Sequence, residues 1–125
     1  MAIFLTILAI ILSAIFYPIG IIYSAIQFAV KAKFRTWWKK INQYFYVIAV
    51  SIDQTGNVVM AELFNHILLR KNSKYKFGNE DETISSVLGK NKYENTLTTI
   101  GQFLVFFLNS IEQSHVEKAI EKDEK

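Results

Sequence analysis

Three pairings in this chain have residue types and spacings suited to chemistry. Glu112 and His115 form an E-x-x-H pair. On a helix that spacing puts both side chains on one face, as in carboxylate-bridged di-iron bundles. Glu62 and His66 offer a second acid–imidazole pair at i, i+4. Ser85 and Ser86 follow the acids Glu80, Asp81 and Glu82 within the segment "FGNEDETISSVLGK", residues 77–90. Each pairing is incomplete as a site. A di-iron bundle needs two E-x-x-H motifs and two further Glu, and the chain supplies one clean copy, so Glu112 and His115 are weak metal candidates. Their simpler reading is an acid–His contact on a helix surface. A serine nucleophile needs an activating base, yet there is no G-x-S-x-G elbow and the chain holds only 2 His. The Gly89–Lys90 pair lacks the following Ser or Thr and the preceding Gly-rich loop of a phosphate cradle. The neighbouring acids would repel phosphate besides.

The elements that position these residues follow from periodicity. Tyr44, Phe45, Val47, Ile48 and Ile52 recur at helical spacing and predict a helix over about 36–53. "DQTGN" predicts a break or bend at Gly56–Asn57. Val59, Leu63, Phe64, Ile67 and Leu68 resume a helical stripe that ends in a basic turn. In the central segment Asn79 is expected as N-cap, with the three acids in the first turn of the helix dipole. Ile84, Val87 and Leu88 then make an apolar face, and Gly89 stands where a C′ glycine would close the helix. A last helix is expected over 96–122, with Leu97, Ile100, Leu104, Phe107, Leu108 and Ile111 as its stripe. Within it "FLVFFL" is apolar all round, which implies burial on two sides or contact with membrane, although the run is shorter than a span. Residues 123–125 are expected to fray.

At 125 residues the chain is one domain's worth at most, with 51% hydrophobic residues concentrated at one end. No cysteine is present, which excludes disulfides, Cys-based zinc sites and thiol nucleophiles. Residues 1–30 carry no charged side chain and exceed the roughly 20 apolar residues that cross a bilayer as a helix. Pro18 and Gly20 allow a bend there. A cleaved signal peptide fits poorly: no Lys or Arg precedes the run, the run is too long, and no small-x-small cleavage site follows. The expectation is a retained anchor over 1–30.

Next come Lys31, Lys33, Arg35, Lys39 and Lys40 with no acid among them, and the adjacent Trp37 and Trp38. The 31–40 segment has the composition of an interfacial belt facing anionic headgroups. A basic patch of this kind could face nucleic acid, but its place beside the apolar run favours lipid, and no nucleic acid is expected. Five cations after the span and none before it put the N-terminus outside and the C-terminal part in the cytoplasm. The fold class expected is all-α: an N-terminal transmembrane helix, then a small domain of about three to four helices over 41–122.

The motifs "SIDQTGN" and "FGNEDETISSVLGK" with the late His115 resemble a family of small uncharacterised proteins encoded by phages and prophages, in versions from Bacteroidetes-type hosts. The matching positions are Asp53, Gln54, Gly56 and Asn57; Gly78, Asp81, Glu82, Thr83, Ser85, Ser86 and Gly89; and His115. Members often carry Cys after the late His, where this chain has Val116, which counts against a metal or redox role. The similarity covers most of the chain and implies provenance rather than a reaction. Together with the anchor and the basic belt it leads to the expectation of a membrane protein of a bacterial inner membrane or virion membrane that acts without cofactor in assembly, lysis control or exclusion. Protein partner binding or self-association would run through Asp53, Gln54, Asn57, Gly78, Asp81, Glu82, Thr83, Ser85 and Ser86. The alternatives are a tethered metal-dependent enzyme using Glu62, His66, Asp81, Glu82, Glu112 and His115, and a holin-like permeabiliser.

Overall fold

The computed structural model describes residues 1–120 and is all-α. Its helices are α1 (Ala2–Lys31), α2 (Phe34–Val59), α3 (Ala61–Ile67), α4 (Ile84–Tyr93), α5 (Thr99–Ile111) and α6 (His115–Lys118). Among the described residues there is no strand, only one antiparallel bridge between Leu69 and Leu97. The chain divides into two compact units, Met1–Tyr46 and the part from Val47 onward, and α2 contributes to both.

In the first unit α1 runs unbroken through Pro18 for 30 residues, and none of them is buried. It is long and apolar enough to cross a membrane. Two of its hydroxyls turn back on their own helix: Thr6 Oγ1 donates to the Ala2 carbonyl at 2.9 Å and Ser13 Oγ to Ala9 at 2.7 Å. That satisfies both within the helix, as a hydrocarbon environment requires. Lys31 closes the helix and Ala32 is extended. The Trp pair then splits. Trp37 is half-buried, stacks on Phe34 and donates its indole N–H to the Ala25 carbonyl at 3.3 Å, whereas Trp38 is exposed.

The second unit closes over a small core of Leu68, Leu69, Phe77, Val87, Leu88, Leu97, Val105 and Val116. Its centre is α4, in which every residue from Ser85 to Asn91 is buried. Two glycines permit the close approaches. A Cβ on Gly89 would overlap the Val116 carbonyl, and one on Gly101 the Leu68 carbonyl. The Leu69–Leu97 bridge is flanked by Arg70 N–H to Thr96 O (2.8 Å) and Thr98 N–H to Leu68 O (2.9 Å).

Four expectations from the sequence are corrected. The helix through 36–53 does not break at Gly56–Asn57; it continues to Val59 and bends by 74° into α3 at Met60. Asn57 stays helical because its side chain is fully occupied by tertiary bonds. The helix in the central segment begins after the three acids, with Thr83 rather than Asn79 as N-cap; the Thr83 hydroxyl accepts from Ser86 N–H at 3.1 Å. Gly89 does not end that helix but lies inside it, where Val116 needs the space. The last helix stops at Ile111, and a break at Glu112–Ser114, with Ser114 left-handed (φ 58°), separates it from α6. The expected extension to 122 and the tail 123–125 lie outside the described residues from 121 on.

Candidate functional site

The two motifs form one structure. Asp53, Gln54 and Asn57 lie on α2 at i, i+1 and i+4, and all three reach the backbone of the segment 78–85. Buried Asn57 takes the largest share: its Nδ2 donates to Asn79 O (3.0 Å) and Glu82 O (2.7 Å), and its Oδ1 accepts from Gly78 N–H (2.9 Å). Gln54 Nε2 donates to Asp81 O at 2.9 Å. Asp53 receives the free N–H groups at the start of α4, Ile84 N–H on Oδ1 at 3.1 Å and Ser85 N–H on Oδ2 at 3.5 Å. A carboxylate there is doubly favoured, by hydrogen bonding and by the helix dipole. Gly56 lets α2 come this close, since a Cβ would stand 3.0 Å from Ile84 Cδ1. Gly78, at φ 123°, makes the turn that only glycine takes without strain.

The three acids have separate fates. Glu82 is turned inward, only 2% exposed, and its Oε1 accepts from Ser86 Oγ (2.7 Å) and pairs with Lys90 Nζ (2.5 Å), itself 6% exposed. Lys90 also lies over the Tyr75 ring. Burying two charges is unfavourable unless both are paired and hydrogen-bonded, and here both are. Glu80 and Asp81 stay exposed at the tip of the turn.

Ser85, His115 and Glu112 come together. Ser85 Oγ and His115 Nε2 are 3.2 Å apart, and His115 Nδ1 is 2.9 Å from Glu112 Oε2. The His115 hydrogen bond holds the Glu112 carboxyl below its ordinary range, helped by the Lys118 charge. This is the connectivity of an acyl-transfer triad, with the nucleophile position on the first turn of a helix. The rest of that machinery is taken. Ser85 is buried, and the N–H groups that would bind an oxyanion already serve Asp53 (Ile84, Ser85) and Thr83 (Ser86). The relay therefore ties α6 to α4, and the N–H groups of Ile84, Ser85 and Ser86 beside it are already bonded. Glu62 and His66 are not part of it, and among the described residues no three of His, Asp and Glu converge to hold a metal ion.

Other buried polar residues carried no signal in the sequence. Asn91 Nδ2 donates to Tyr75 O (2.8 Å) and Val87 O (2.9 Å), while its Oδ1 accepts from Thr96 Oγ1 (2.6 Å) and from the Ser73 hydroxyl. Asn65 pairs twice with the Phe77 backbone, as donor at 3.0 Å and acceptor at 2.7 Å. A lone Asn in a polar loop or helix looks alike whether it clamps backbone or faces water. On the far side Glu117 receives Lys92 and Asn109. Burial works upward on its carboxyl, but the Lys92 ammonium, a backbone hydrogen bond and the Asn109 amide outweigh it and hold it low.

No protein-family model, curated protein sequence or solved structure matches this chain.

Proposed function

We propose that this is a small single-span membrane protein, of phage or prophage type by its motifs, whose role is binding at the membrane rather than catalysis. The observation that carries this reading is α1: 30 residues, charged only at the terminal Lys31, with none buried. The five cations of 31–40 orient the chain with its N-terminus out and its C-terminal domain in the cytoplasm, and they meet anionic headgroups of a bacterial inner membrane or virion membrane.

The clamp supports a binding role for the central motif. Asn57 and Gln54 hold the turn 78–82 by its backbone, so the exposed side chains of Glu80 and Asp81 are presented on a fixed frame. A surface fixed before binding loses less conformational entropy when a partner docks. The partner, another protein or a further copy of this chain, would meet an acidic tip, with Gly78 and Asp81 of the motif facing it. Asp53, Asn57, Glu82, Thr83, Ser85 and Ser86 support that tip from beneath. Such a tethered adaptor suits assembly, lysis control or exclusion.

Orientation is tested with a single cysteine placed at exposed Lys74 in the otherwise cysteine-free chain. In intact cells a membrane-impermeant maleimide should label Lys74→Cys chains only after permeabilisation; labelling before it would overturn the cytoplasmic placement.

A further inference from the structure

α5 is built unlike the other helices of the second unit. From Thr98 to Ile111 it has no charged side chain, and its solvent-facing side is mostly apolar, with Thr99, Gln102 and Ser110 as its exposed polar residues. Gly101 and Val105 are buried, and Leu104 and Leu108 pack on the core. On the other side Ile100, Phe103 and Phe107 fall at i, i+3 and i+7, with Phe106 and Ile111 beside them. Phe103, Phe106 and Ile111 are 71%, 73% and 71% exposed. A surface helix of a water-soluble domain carries polar residues there, and a helix that is apolar all round is one covered by protein or lipid.

The polar groups of α5 indicate which. Of the two exposed hydroxyls on this face, Thr99 and Ser110, Ser110 donates to the Phe107 carbonyl of its own helix at 2.6 Å. The Thr98 hydroxyl donates to Ile67 O at 2.6 Å and accepts from Gly101 N–H at 3.2 Å. A protein interface carries about one hydrogen bond per 100–200 Å², and apart from Thr99 and from Gln102, whose Nε2 reaches Leu97 O at 3.5 Å, this face offers a partner few groups to bond. Hydrocarbon demands just that internal satisfaction. Thr6 and Ser13 of α1 show the same device.

We propose that the Ile100–Phe103–Phe106–Phe107–Ile111 face of α5 inserts into the acyl-chain boundary of a lipid bilayer. α5, at 13 residues, is too short to cross and lies in the interface instead. The inference rests on the anchoring reading, because α1 keeps the bilayer within constant reach of the domain. Interfacial helices with an apolar face of this kind bind lipid without spanning it.

The test uses the full-length chain in phosphatidylcholine–phosphatidylglycerol vesicles, with a single NBD fluorophore on cysteine at one position at a time. Ser110→Cys and Phe106→Cys probe the face, Lys74→Cys serves as aqueous reference, and Ile10→Cys reports the anchor. At 106 and 110 a shallow nitroxide lipid should quench several-fold more strongly than at 74, and aqueous iodide several-fold less. Strong iodide quenching at both face positions, with Ile10 quenched by a deep nitroxide lipid, overturns the α5 proposal and leaves the anchor standing. Loss of lipid quenching at Ile10 as well overturns the anchor itself. Protection of 106 and 110 from both quenchers, with concentration-dependent self-quenching, assigns the face to a second copy and overturns the lipid assignment.

Discussion

The helix α1 and the domain from Val47 onward are stabilised by opposite means. In α1 no residue is buried within the protein, and apolar side chains point outward along its whole length. Among the described residues of the domain, the buried polar ones, including Asn57, Glu82, Ser86, Lys90 and Asn91, outnumber the buried apolar ones by nine to eight and share the same interior. No buried side-chain nitrogen or oxygen among the described residues lacks a hydrogen-bond partner. α1 needs only composition, because any apolar side chain serves lipid. The domain needs particular partners, because each buried polar group left unpaired costs about 1–3 kcal/mol.

That contrast yields predictions on two independent readouts, membrane retention and domain melting. The largest effect is expected from Gly89→Val. Its new side chain meets the Val116 carbonyl, a main-chain atom that cannot move aside. A loss above about 3 kcal/mol should follow, seen in detergent as an early thermal transition, with membrane retention unchanged. Next is Glu82→Gln, which removes the carboxylate that pairs with buried Lys90 and should cost about 3–5 kcal/mol. The double replacement Glu82→Leu with Lys90→Met should recover most of that loss. If it does not, the pair contributes more than mutual neutralisation.

Asn57→Ala strips partners from Gly78, Asn79 and Glu82 together, for a cost of about 3 kcal/mol in chemical denaturation. Ile10→Lys should do the reverse of all three. It penalises insertion by about 2.5–3.5 kcal/mol and leaves the domain's melting where it was. A shift in domain melting would break the separation argued here.

The smallest effect is expected from acid. The His115 hydrogen bond and the Lys118 charge hold the folded-state carboxyl of Glu112 below the ordinary carboxylate range, so its contribution is present above that range and fades as pH falls through the lowered value. The difference in melting between the native chain and Glu112→Gln should therefore be visible near neutrality and vanish in strong acid. A difference that persists in strong acid would mean the Glu112–His115 contact is not electrostatic.

The contrast also explains what could be read from the sequence. A charge-free run ending at Lys31 gave the bounds of α1 almost to the residue, because lipid reads composition alone. In the domain the residue choices were visible and their roles were not. Gly56–Asn57 has turn chemistry, yet three tertiary bonds hold Asn57 inside a helix. Gly89 looks like a helix stop, and its lack of a side chain instead admits Val116. The acids resemble a first turn, but Asp53, from 31 positions away, fills that place for Ile84. Long-range hydrogen bonds leave no periodicity, so sequence reasoning marked Ser85, Glu112 and His115 separately and could not join them.

Whether α1 holds the chain in a bilayer is decided by alkaline carbonate extraction of membranes carrying the full-length protein. The protein should remain in the membrane pellet, while a chain lacking residues 1–31 should be released far more readily. Full-length protein recovered in the carbonate supernatant would contradict that anchoring.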